Sequence, residues 1–111
     1  MANTYQQLGQ ARENSTNAVT VYSPGASEEV IVKQIIVVNT SAAPATVRIF
    51  HDDNGTTYDE TTAIAWNVPI PAGSVWDRGI TICLDDATGN LAYRSSVANA
   101  LTITVYGVVI T

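Results

Sequence analysis

Residues 30–40 read VIVKQIIVVNT, and the middle of this stretch, Ile35 to Val38, is apolar on both faces of a pleated strand. Side chains of a strand alternate between faces, so a half-buried strand shows one apolar set and one polar set. A strand that is apolar on both needs cover on both, from a second sheet and from a neighbouring subunit.

The same texture extends outward in both directions. AVTVYS at 18–23 runs into a Ser-Pro-Gly turn, and SAAP separates the central stretch from TVRIFH at 46–51, where Val47 and Ile49 face one way and Arg48 and Phe50 the other. TAIAWNVPI at 62–70 carries Ile64, Trp66 and Val68 in step, which places Trp66 in the core, and PAGS at 71–74 is a turn. SVWDRGITICL at 74–84 reads as one bent strand or two, with Gly79 at the kink or bulge, and DDATGN at 85–90 as a tight reversal. LAYRSS at 91–96 is a short strand. In LTITVYGVVIT at 101–111, Leu101, Ile103 and Val105 face the core, with Thr102, Thr104 and Tyr106 opposite. No window holds a helical period beyond one turn at 58–63. The expected fold is all-β: a two-sheet antiparallel β-sandwich, jelly-roll-like.

Residues 1–16, MANTYQQLGQARENST, are polar apart from Tyr5 and Leu8 and have no sustained period. They are expected to form an extended N-terminal arm that orders on a neighbour, with residues 17–111 as the sandwich domain.

The chain has 111 residues, room for one domain. Hydrophobic residues make up 46% of it and charged residues only 14%, a low charge for a body that faces water on every side, so part of the surface is expected to be covered by a partner. The net charge is −5, and the basic residues Arg12, Lys33, Arg48, Arg78 and Arg94 are scattered. Without a basic stripe to neutralise phosphates, neither nucleic acid nor an anionic membrane is an expected partner. A single cysteine, Cys83, excludes an internal disulfide and a multi-cysteine metal cluster. The start lacks the pattern of a secretory signal, and the charge-free C-terminal run is broken by Ser, Thr, Asn and Gly, which reads as a strand.

HDDNGTTYDETT at 51–62 is the densest cluster of chemistry-bearing residues, with His51, Asp52, Asp53, Asp59 and Glu60, and Asn54 as a further oxygen donor. Its spacing does not fit an EF-hand loop, and Asp at early turn positions followed by Gly is sufficient reason for DDNG. His51 could serve as base to Cys83, but nothing in the sequence brings the two together, and Cys83 is expected as a small buried hydrophobe. No catalytic residue, metal ligand or cofactor site is therefore assigned. Trp66, Trp76, Tyr58 and Tyr93 raise the possibility of sugar stacking, with Trp76, beside Asp77 and Arg78, expected at a rim or interface.

The order IIVVNTSAAPATVRIFHDDNGTTYDETTAIAWNVPI, a turn, then NLAYRSSVANALTITVYG, preceded by LGQARENSTNAVTVYSP, resembles a family of small all-β virion structural proteins of tailed bacteriophages. That family includes capsid decoration or cement proteins, head fibres and tail-associated proteins. The resemblance implies a non-enzymatic virion component more than it implies a location; the leading expectation is a capsid decoration (cement) protein, made in the host cytoplasm and placed on the outer capsid surface, with the major capsid protein and further copies of itself, as a homotrimer, for partners. On that reading Tyr5, Leu8 and Arg12 of the arm bind the capsid, and Arg48, Phe50 and Tyr106 form the oligomer interface. The alternative is a tail- or head-fibre module that binds a host receptor or glycan through Tyr58 and Trp76.

Overall fold

A computed structural model describes residues 3–85 and 89–110. Its strands are β1 (Asn3–Arg12), β2 (Val19–Tyr22), β3 (Glu29–Asn39), β4 (Ala45–Asp52), β5 (Ala63–Ile70), β6 (Val75–Asp85), β7 (Asn90–Ser95) and β8 (Leu101–Ile110). They form two four-stranded sheets, in the orders 1-8-3-6 and 2-7-4-5, with antiparallel pairing throughout. Only the β4–β5 hairpin stays within one sheet; every other connection crosses between sheets. This is the jelly-roll order of a β-sandwich.

The core lies between the sheets. Val30, Val32, Ile35 and Val37 of β3 and Leu101, Ile103 and Val105 of β8 are buried against Val47 and Ile49 of β4 and Leu91 and Tyr93 of β7. Each such side chain contributes about 1.5–3 kcal/mol by leaving water, which is why these central strands carry the apolar runs. Lys33 is an extra residue in β3, between the Val32–Gly107 and Gln34–Tyr106 pairs. That bulge switches the inward set from Val30 and Val32 to Ile35 and Val37.

Residues 3–12 are extended as expected, but they do not stand outside the sandwich. They are the edge strand β1, paired with β8 from Asn3↔Ile110 to Arg12↔Thr102. Leu8 and Ala11 pack on the core while Tyr5 faces out, 78% exposed. The polarity read as an arm is that of an edge strand whose outer side meets solvent. At Gly9 an added Cβ would lie 2.6 Å from the carbonyl oxygen of Val21, so glycine permits β1 and β2 to approach where the chain passes between sheets.

The two tryptophans are exchanged relative to the sequence expectation. Asn67, at φ 51°, lies in a register irregularity of β5, so Val68 and Ile70 face inward while Trp66 points outward and is 40% exposed. Trp76 packs against the core at the edge of the 1-8-3-6 sheet, with the Arg78 guanidinium 5.2 Å from its ring centroid. Cys83 is exposed, because Ile82 and Leu84 take the inward positions of β6. β6 is a single strand, with its irregularity at Gly79–Ile82 opposite Lys33. The middle of the 85–90 reversal lies outside the described residues.

Candidate functional site

The 51–62 segment is a structured turn. Asp52 Oδ1 accepts the N–H of Asn54 at 3.1 Å and Oδ2 that of Thr57 at 2.7 Å. Asp59 Oδ1 accepts the N–H and hydroxyl of Thr61 at 2.8 and 2.5 Å, and these bonds, the hydroxyl first, hold its carboxyl below the usual range. These carboxylates thus cap backbone donors, the structural role of Asp in turns. Asp53 and Glu60 are exposed. Among the described residues no group of three His, Cys, Asp or Glu side chains is placed to hold a metal. His51 and Cys83 belong to different sheets, and Nε2 of His51 is buried without a hydrogen-bond partner, so the two form no dyad.

The residues expected in a capsid-binding arm are largely engaged in the protein's own fold. Leu8 packs on the core, and Arg12 donates to Asn99 O at 2.6 Å and Thr40 Oγ1 at 3.3 Å. Tyr5 alone is free to meet a partner. The expected interface set is divided: Tyr106 lies on the outer face of the 1-8-3-6 sheet, Arg48 on that of the 2-7-4-5 sheet, and Phe50 is 1% exposed beneath Tyr58 and Trp66. Phe50 is therefore removed from any interface. Tyr58 and Trp76, paired in the glycan reading, are not brought together, since Trp76 faces the space between the sheets.

The structure assembles two outer faces instead. On the 1-8-3-6 sheet, register partners form rows across the strands, because directly opposed residues share a face. One row is Tyr5–Val108–Ile31–Cys83, the next Gln7–Tyr106–Gln34–Gly79, then Gln10–Thr104–Ile36–Asp77 and Arg12–Thr102–Val38–Val75. On the central strands the charges of this face are Glu29, at the start of β3, and the bulged Lys33; the others lie on the edge strands. Tyr5, Gln7, Gln34 and Tyr106 border a depression of about 400 Å³ beside that lysine.

The 2-7-4-5 sheet is different in character. Phe50 is flanked by Tyr58 (centroids 6.0 Å apart) and by Trp66 in a T-shaped arrangement (6.3 Å, 87°), and Tyr58 Oη shares a hydrogen bond with Thr20 Oγ1 at 2.5 Å. The Arg48 guanidinium lies 3.8 Å from the Trp66 centroid, and Arg94 stands opposite Arg48 on the neighbouring strand. Sequence reading missed Arg94, Asn67 and the outward turn of Trp66. Arg48 and Arg94, each a lone charge within an apolar alternation, were the available signal.

No family model matches the sequence, and no curated protein matches it. Among solved structures, a chain of the T13 IBDV viral particle superposes with a TM-score of 0.58 at 12% identity, over 97% of this chain and 31% of that one. The Drosophila NLP core gives 0.49 at 12% identity over 98% of both chains, and infectious bursal disease virus Gt strain 0.44 at 12% over 97% and 29%. This chain thus spans about a third of the length of the T13 particle chain it matches. At this identity the likeness is one of fold: the jelly-roll sandwich read from the strand order is also the architecture of part of a viral particle.

Proposed function

We propose that this protein is a non-enzymatic structural component of a virion, a decoration or cement protein of a tailed-phage head that bridges major-capsid subunits on the outer surface. The observation that carries this reading is the outer face of the 1-8-3-6 sheet, where Ile31, Ile36, Val38, Tyr106 and Val75 present an apolar surface bordered by Glu29, Lys33 and Asp77. A sheet face of this composition is suited to packing against another protein. The family resemblance and the viral-particle neighbour support the same reading.

A shell loaded from within parts where its subunits meet. A protein bound across such a junction raises the free energy of separation by mass action. A small ring, here a trimer, matches local shell symmetry and repeats each weak contact, which multiplies affinity without new chemistry.

The test is reconstitution on phage particles stripped of this chain. Wild-type protein is expected to rebind at a fixed ratio to capsid protein, whereas Tyr106→Glu, which places a charge on the exposed middle of the face, remains folded and fails to rebind. Equal occupancy by the two proteins contradicts the assignment of this face. Absence of binding by wild type contradicts the decoration function.

A further inference from the structure

Arg48 and Arg94 are register partners at the centre of the 2-7-4-5 sheet. Like charges directly opposed on a sheet repel one another. Neither has a carboxylate partner among the described residues, in a chain whose net charge is −5. Both are nonetheless held in place. Arg48 Nε donates to Asn67 Oδ1 at 2.7 Å while its guanidinium lies over Trp66, and Arg94 Nε donates to Thr16 O at 2.7 Å. The terminal nitrogens of two pre-positioned guanidiniums remain unused, the donor fork that suits a carboxylate.

Between them is a depression of about 350 Å³ lined by Thr46, Arg48, Asn67, Arg94 and Ser96, within the size range of small-ligand sites. Apart from the arginines, its side chains are an amide and two hydroxyls. An adjoining depression shares both arginines but includes Asp59 and Glu60, which repel an anion, along with Trp66 and Tyr58. The carboxylate therefore belongs in the first depression.

We propose that this face binds an acidic saccharide, with Arg48 and Arg94 holding the sugar carboxylate and Asn67, Ser96 and Thr46 its hydroxyls. A protein carboxylate needs only the fork; the surrounding amide and hydroxyls, with the partly exposed Trp66 in the adjoining depression, fit a hydroxylated ring. The site lies on the face of the sandwich opposite the proposed shell contact, so the two assignments stand or fall separately.

The test is a titration of the full-length protein with glucuronate, glucose and acetate, followed through the Arg Nε–H and Trp indole N–H resonances. Glucuronate is expected to shift Arg48, Arg94 and Trp66, and to bind at least about tenfold more tightly than glucose, the worth of one charge-assisted contact. Arg94→Gln is expected to lose about tenfold in glucuronate affinity while Tyr106→Phe loses nothing. If Arg94→Gln does not fold, added chloride provides the second readout and is expected to weaken binding to the wild type. Equal affinity for glucose and glucuronate, no shift with either, or binding that ignores salt overturns the proposal. Acetate binding as tightly as glucuronate overturns the saccharide assignment in favour of a protein carboxylate.

Discussion

The hydroxyl of Tyr93, on β7, accepts the backbone N–H of Glu13 at 2.8 Å, one residue past the end of β1. The carbonyls of Ala11 and Leu101, each 3.4 Å away, are its acceptors. One buried phenol thus joins the 2-7-4-5 sheet to β1 and β8 of the other. Tyr93→Phe is expected to destabilise the fold by about 1–3 kcal/mol, because it leaves the Glu13 N–H without this partner. Denaturant unfolding measures the difference.

The same residue sets a limit at high pH. Burial raises the Tyr93 phenol above its ordinary value of 10.0, as burial and then Glu28 raise Tyr22. A raised folded value means that the native state keeps its proton longer than the unfolded state. This contribution is therefore complete below pH 10 and is lost as pH climbs through the raised folded values. Stability is expected to fall as pH rises above about 10, and Tyr93→Phe to reduce the slope.

Asn39 is a second buried polar post. Its Nδ2 donates to Ala43 O and Ile70 O, both at 2.9 Å, and Oδ1 accepts the N–H and hydroxyl of Ser41 at 2.9 and 2.7 Å. It ties the end of β3 to the turn before β4 and to the end of β5. Asn39→Ala is expected to cost about 2–4 kcal/mol, since several buried groups lose their partner together. A loss under about 1 kcal/mol would mean that water replaces the amide.

Gly107 of β8 lies where β3 carries its extra residue. A Cβ there would collide with the Ile31 carbonyl oxygen and come within 2.8 Å of Leu8 Cδ1 and 3.0 Å of Val32 Cα. Gly107→Ala is expected to destabilise by at least about 2 kcal/mol, as overpacking of a rigid backbone site does. Thermal unfolding at matched concentration checks it.

Much of this architecture was legible because six of the strands announce themselves through β-branched residues bounded by Gly, Pro, Asn and Asp, and β7 through the turn signal before it. The central VIVKQIIVVNT carried the most information: its two-faced apolarity holds in the structure, with Ile35 and Val37 inward and Ile36 and Val38 on the outer face. Bulges defeated the alternation elsewhere. One irregularity at Asn67 turns Trp66 outward, and a period of 2 cannot foresee an inserted residue. β1 was read as an arm because an edge strand needs few apolar side chains. The Arg48–Arg94 pair was illegible for another reason: 46 positions separate them, and only the β4–β7 register brings them face to face.

The placement of β1 leads to its own prediction. Deleting residues 1–12 uncovers the edge of β8 and removes Leu8 and Ala11 from the core. The shortened chain is expected to aggregate or to lose cooperative unfolding. A soluble, cooperatively folded 13–111 fragment would return these residues to the status of an arm.

The most direct test of the decoration assignment is the copy number of this chain in purified phage, measured by quantitative mass spectrometry against the major capsid protein. A decoration protein repeated by shell symmetry is expected at roughly hundreds of copies, in a simple ratio to capsid protein. A few copies to a few tens, or none, would contradict that assignment.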